Sequence, residues 1–133
     1  MEIKSYSHYD AAEILPLYQA VGWSNYFKYP EILEKAYAGS LCVLGAYLDN
    51  NLVGIIRAVG DGASILFIQD IIVHPMHQRK GIGTALMNAM LERYTHVYQI
   101  ELATDNTEKT IAFYKSLGFR PLQEIGCCGF MKL

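Results

Sequence analysis

Gln78-Arg79-Lys80-Gly81-Ile82-Gly83-Thr84 is the stretch of this chain whose residue types could hold a reacting molecule. Two cations stand beside two glycines, and Ile82, Ala85, Leu86, Ala89 and Met90 then recur at helical spacing. Glycine has no Cβ, so an anion can reach the backbone and the chain can adopt unusual φ/ψ. The first turn of a helix carries N–H groups without intrahelical partners and a partial positive charge. Arg79 and Lys80 add full charges. A phosphate or pyrophosphate is the expected guest; the plainer alternative is a strand-to-helix turn with solvated basic residues.

Upstream, Ile68, Ile71, Ile72 and Val73 form a β-branched run bearing one acid, Asp70, and the run stops at Pro75, which cannot donate to a sheet ladder. The loop lacks the Gly-Lys-Ser/Thr ending of a P-loop, and Leu86 stands where a dinucleotide fingerprint needs its third small residue. Gln78-Arg79-Lys80-Gly81-Ile82-Gly83 resembles instead the acetyl-CoA signature of the GCN5-related N-acetyltransferase (GNAT) superfamily, Gln/Arg-x-x-Gly-x-Gly/Ala. Val73-His74-Pro75 is similar to the strand end that precedes that signature. The resemblance implies that the loop from Gln78 to Thr84 holds the CoA pyrophosphate through its amides. It also implies that the strand edge at Ile71, Ile72 and Val73 pairs with pantetheine.

A second segment agrees. Asp105-Asn106-Thr107, then Phe113-Tyr114, then Leu117-Gly118-Phe119 resembles the family's other cofactor segment. Alone, Phe113 and Tyr114 would read as core aromatics. In the family's order and separation they imply that Asn106 and Phe113 contact the cofactor and that Tyr114 gives a proton to the CoA thiolate. One departure stands out. Counting back from Tyr114, the family's CoA-contacting asparagine falls on Thr107, one residue past Asn106; Asn106 is taken as the contact, with Thr107 as its alternative.

Acetyl transfer to an amine needs a neutral amine, a stabilised oxyanion and a proton for the departing thiolate. Aliphatic amines have pKa values near that of lysine, about 10.4, so something must accept their proton. Asp70 and Glu101 are the acids placed to do so in a direct attack within a ternary complex, by themselves or through water. The alternative for each is a structural carboxylate. His74 lies past the strand end, and a backbone N–H near Ile72 or Val73 would serve the oxyanion.

Trp23, Tyr26, Phe27 and Tyr29 fall in the loop that walls the acceptor side in this family, where rings suit an aryl or alkyl amine. Core packing under a lid is the alternative. Gly22-Trp23 and Gly129-Phe130-Met131 are similar to the branch that contains plant arylalkylamine acetyltransferases. A small aryl or alkyl amine is thus the expected acceptor; a polyamine, an amino sugar, or a protein lysine or N-terminus stays open. Two other functions stay open too: a non-catalytic CoA-binding sensor on the same fold, and a nucleotide-binding α/β protein.

The elements that must position these residues follow from periodicity. Ile3 to Tyr6 reads as a strand. Asp10 and Glu13 have capping-box spacing for a helix ending at Gly22, and Gly22 to Pro30 reads as a loop before a helix from Pro30 to Ala38. Leu41–Leu48, Leu52–Val59 and Ser64–Val73 form an antiparallel meander turning at Asp49-Asn50-Asn51 and Asp61-Gly62. A helix to Tyr94, a strand Val97–Ala103, a helix Thr107–Leu117 and a final antiparallel pair, Phe119–Gln123 with Cys127–Leu133, complete the chain. The strand–helix–strand crossover makes Ile68–Val73 and Val97–Ala103 a parallel pair. The expected class is α/β, a mixed, mostly antiparallel sheet with one central parallel pair and helices on both faces, the acyl-CoA N-acyltransferase fold.

Length and composition set the outer bounds. At 133 residues, 52% of them hydrophobic, one domain over 1–133 is expected. A net charge of −2 argues against a nucleic-acid binder. No run is long enough to cross a membrane and no secretion signal opens the chain, so the cytoplasm is expected. Cys42, Cys127 and Cys128 suggest neither disulfides nor a metal site and read as reduced, buried residues. Acetyl-CoA is the one cosubstrate expected, without a metal, and a homodimer is carried as the expected association.

Overall fold

The computed structural model describes every residue from Met1 to Leu133. Its elements are β1 (Glu2–Ser5), α1 (Ala11–Ala20), α2 (Ser24–Phe27), α3 (Pro30–Ala38), β2 (Cys42–Leu48), β3 (Asn51–Gly60), β4 (Ile65–Val73), α4 (Ile82–Arg93), β5 (Gln99–Leu102) and α5 (Glu108–Ser116). The sheet order follows the chain, β1-β2-β3-β4-β5, antiparallel through β4 and parallel between β4 and β5. This is the mixed α/β sheet that the crossover requires. By packing, the chain divides into two compact units, Met1–Glu101 and Leu102–Leu133.

In the first unit, α1 starts where the Asp10 carboxylate accepts from the Ala12 amide at 2.9 Å. The return half of the capping box is supplied by the Tyr6 hydroxyl, which accepts from the Asp10 amide and donates to Glu13. The helix ends in a Schellman motif. Gly22 is left-handed (φ 77°), its amide bonds the Gln19 carbonyl, and the Trp23 amide reaches back to the Tyr18 carbonyl. The stretch from Gly22 to Pro30, expected to be loop throughout, holds the single turn α2. Pro30 opens α3, where its missing N–H costs nothing.

The β2–β3 hairpin turns on Asp49 (φ 49°) and Asn50 (φ 66°), both left-handed as a type I′ turn demands. Between β3 and β4, Arg57 pairs with Asp70 while the adjacent Ala58 pairs with Ile68, so Gln69 is an extra, bulged residue. Paired residues share a face, and the bulge therefore puts Ile68 and Asp70 on opposite faces although they are two apart. Ile55 and Ile72 pack with Ile14, Leu17, Leu33 and Val43 beneath α1 and α3. The other face carries α4, which lies close: a Cβ on Gly54 would come 3.3 Å from Leu86.

The second unit departs from expectation. Neither Phe119–Gln123 nor Cys127–Leu133 is a strand. Pro121 cannot donate to a ladder and instead opens a 3₁₀ turn, Leu122–Ile125, closed by left-handed Gly126 and the Cys127 amide on the Leu122 carbonyl. Cys127 and Cys128 follow that turn and are exposed, not buried; Cys42 is half-buried.

Burial pushes the hydroxyls of Tyr6, Tyr18 and Tyr37 well above the ordinary tyrosine value of 10.0. The unfolded chain loses these protons above about pH 10 while the folded protein keeps them. Stability is thus full below that pH and is expected to fall by about 4 kcal/mol per unit above it. Urea melts at about pH 9 and about pH 11 check this; an unchanged midpoint would show that the hydroxyls are not sequestered.

Candidate active site

The loop between β4 and α4 is held by bonds of its own. The His74 amide bonds the Val53 carbonyl, His74 Nδ1 accepts from the Met76 amide, and Pro75–His77 forms one 3₁₀ turn. The Gln78 side-chain amide donates to the Val73 carbonyl at 3.1 Å, tying the loop to the strand end. Arg79 is left-handed at φ 65° and Gly81 at φ 79°. A non-glycine residue there is strained by about 1 kcal/mol or more, and such strain collects at binding sites. No side chain caps α4, so the first-turn amides at Ile82, Gly83 and Thr84 have no side-chain acceptor. Left-handed Gly81 directly before the right-handed first turn of α4 turns successive N–H groups toward one point. Arg79 and Lys80 are exposed beside it, and positive charges next to uncapped first-turn amides are chemically suited to an anion.

Along β4, Ile72 is buried while Ile71 and Val73 are half-buried. β5 is only four residues long, and its start is tied to the Ala63 and Ser64 carbonyls. It therefore flanks the first half of β4, and Ile71–Val73 lie further along. Glu101 is half-buried on β5.

Asp70 is 2% exposed. Its Oδ2 accepts from Arg57 Nε at 2.7 Å and from the Tyr18 hydroxyl at 2.8 Å. Burial is the largest single influence on the Arg57 pKa and would lower it, but the Asp70 charge, the Asp70 hydrogen bond and the Tyr18 and Tyr37 hydroxyls together outweigh it and the net direction is up. Tyr18 touches Tyr37 through their hydroxyls at 3.0 Å. Its ring meets Trp23 at 6.0 Å and Tyr26 at 5.1 Å between centroids. Phe27 is half-buried, whereas Tyr29 is exposed. Sequence reading missed Arg57, Tyr18 and Tyr37. A signal was present: Arg57 is the one charge in the β3 strand, Asn51–Gly60, and a buried cation demands a buried anion nearby.

In the second unit, Thr107 caps α5, its Oγ1 accepting from the Thr110 amide at 3.3 Å. Asn106 is exposed immediately before it. The helix ends in a Schellman motif like that of α1: Gly118 is left-handed at φ 93°, its amide bonds Lys115, and the Phe119 amide bonds the Tyr114 carbonyl. That motif sets the Phe119 ring 6.1 Å from Tyr114, edge to face, and Phe113 flanks Tyr114 at 5.0 Å. Burial raises the Tyr114 hydroxyl pKa; a Thr104 hydrogen bond opposes this and the Asp105 charge adds to it.

A model of the acetyltransferase (GNAT) family matches residues 8–119. The chain belongs to the acetyltransferase (GNAT) family. A GNAT-family acetyltransferase from Streptococcus pneumoniae TIGR4 is 43% identical with a TM-score of 0.91, over 99% of this chain and 96% of that one. A probable acetyltransferase from methicillin-resistant Staphylococcus aureus, 22% identical, shares the fold with a TM-score of 0.82 over 99% and 98%. An uncharacterised ycf52-like N-acetyltransferase of Prochlorococcus marinus is 29% identical over 91% of this chain and 68% of its own length. For the ycf52 N-acetyltransferase of Gracilaria tenuistipitata the shares are 85% and 63%, so the GNAT chain spans about two thirds of these curated relatives.

Proposed function

We propose that this GNAT chain transfers acetyl from acetyl-CoA to a primary amine by direct attack in a ternary complex, with a small aryl or alkyl amine as acceptor. The carrying observation is the Gln78–Thr84 loop, whose left-handed residues and uncapped helix start suit a pyrophosphate. When bound, acetyl-CoA supplies the activated acyl group. Arg79, Lys80 and the amides of Gly81 to Thr84 hold its phosphates, the Ile71–Val73 edge aligns its arm, and Asn106 and Phe113 add contacts. Thr107 is already engaged as a helix cap, which supports Asn106 over it.

Tyr114, kept protonated by burial, serves as hydrogen-bond donor to the departing sulfur. Glu101, directly or through water, takes the amine proton; Asp70 already holds a buried cation, which supports a different role for it. Trp23, Tyr26, Phe27 and Tyr29 receive the acceptor.

The test combines thermal shift with acetyl-CoA, CoA, ATP and NAD and thiol release against an amine panel. Stabilisation by the CoA forms, with thiol release for one amine class, is expected. Stabilisation without release would mean a CoA-binding sensor, and a response to ATP or NAD alone would remove CoA altogether. Gly83→Asp sharpens the loop assignment. A carboxylate in the first turn suits the helix dipole, so the variant should fold. Its charge opposes a phosphate, and acetyl-CoA affinity is expected to drop about tenfold or more. Unchanged affinity by calorimetry would move the phosphates elsewhere.

A further inference from the structure

Asp70 anchors a polar cluster in an otherwise apolar layer. Oδ2 of its carboxylate takes both the Arg57 Nε–H and the Tyr18 hydroxyl. Because Tyr18 donates to Asp70, the 3.0 Å contact with Tyr37 makes Tyr37 the donor there. Arg57 is held in turn by the Ser40 hydroxyl at 3.2 Å and the Ala36 carbonyl at 3.4 Å, at the end of α3. An apolar pair would serve stability in such a place as well as a buried ion pair does. What the ion pair adds is direction, since a charged acceptor fixes where a hydroxyl must lie.

The ring that this hydroxyl belongs to is the centre of the aromatic wall. Trp23 stands on Tyr18 at 67° and Tyr26 at 60°, and Trp23 and Tyr26 are 6.4 Å apart. Trp23 is also fixed through its backbone, because its amide closes the Schellman motif on Tyr18. Tyr26 reaches the bulged Gln69, 3.5 Å from its hydroxyl. We infer that Asp70 is a positioning residue: with Arg57 and Tyr37 it locks Tyr18, and Tyr18 sets the Trp23–Tyr26 face that selects ring-bearing over ringless amines. This rests on the reading that Trp23 and Tyr26 receive the acceptor. The network determines specificity, and a different group takes the proton.

Trp23 is the sole tryptophan of the chain, so its emission reports the wall with no substrate present. Tyr18→Phe deletes one hydroxyl and leaves the Arg57–Asp70 pair. In the full chain it is expected to red-shift Trp23 emission and increase its quenching by acrylamide. It should raise KM for aryl amines about tenfold. Turnover of a short aliphatic amine and the affinity for acetyl-CoA should stay within about twofold. Tyr37→Phe, one bond further back, should move the emission the same way by less. Unchanged emission in both variants would overturn the inference. So would a uniform fall in kcat for every amine with a displaced acid limb of the pH–rate profile, which would make the network part of the proton path. Altered emission with an unchanged aryl-amine KM would remove its role in specificity. If wild type transfers acetyl to no amine at all, the transfer reading fails instead, and the emission shift still decides whether Asp70 sets the rings.

Discussion

Tyr114→Phe is expected to lower kcat about a hundredfold and to leave the acetyl-CoA dissociation constant within about twofold. The hydroxyl belongs to a half-buried ring braced by Phe113 and Phe119, so phenylalanine fits the same space. Burial holds its pKa above the ordinary 10.0, so the oxygen still carries its proton at the pH where a thiol begins to ionise. The same burial makes it a weaker acid than a thiol, whose pKa is about 8.5. Full transfer to sulfur is uphill, and the residue works by a strengthening hydrogen bond as charge develops. Positioned acids contribute roughly 10²- to 10⁴-fold, and a mismatched one belongs at the low end. Stopped-flow thiol release with a saturating amine makes the measurement. A kcat within about twofold of wild type would remove Tyr114 from the chemistry.

The second large effect is on stability. Arg57 is 4% exposed and Asp70 2%. Removing either alone leaves a buried charge without its partner, a change that costs about 3–5 kcal/mol. Domains have about 5–15 kcal/mol in all, so Arg57→Met or Asp70→Leu should bring the protein close to unfolding. Arg57→Met with Asp70→Leu removes both charges, and its stability should return to within about 2 kcal/mol of wild type. The remaining deficit comes from Tyr18, whose hydroxyl would have lost its acceptor. Urea denaturation of the four proteins forms the cycle. Single variants within about 1 kcal/mol of wild type would show that the pair is solvated.

How much of this was legible in the sequence depended on which physical rule was in charge. The bounds of α3, Pro30–Ala38, and the hairpin at Asp49-Asn50 follow from local residues, and both were legible. The loop from Gln78 to Thr84 was legible for the same reason, because the glycines and the basic pair act on their own backbone. The Asp70 network was not. Alternation along β4 puts Ile68 and Asp70 on one face, and the bulge at Gln69 separates them, a feature that no two-residue period reveals. Tyr18 and Tyr37 are core residues on helix faces, and nothing in their spacing marks the contacts of their hydroxyls. The expected C-terminal hairpin, Phe119–Gln123 with Cys127–Leu133, set Pro121 inside a strand, and the chain instead uses the proline to open a 3₁₀ turn.

The tether from Gln78 to the Val73 carbonyl and the left-handed turns at Arg79 and Gly81 also bear on how tightly an anion can be held. Ordering a residue costs about 1–2 kcal/mol of backbone entropy, so ordering the four residues Gln78 to Gly81 on binding would take roughly 4–8 kcal/mol from the affinity. Here part of that loss falls on folding, because Gln78 is already tied to the Val73 carbonyl and the Gly81 carbonyl to the Ala85 amide. Each residue ordered in advance spares the affinity about one power of ten, at roughly 1.4 kcal/mol per tenfold.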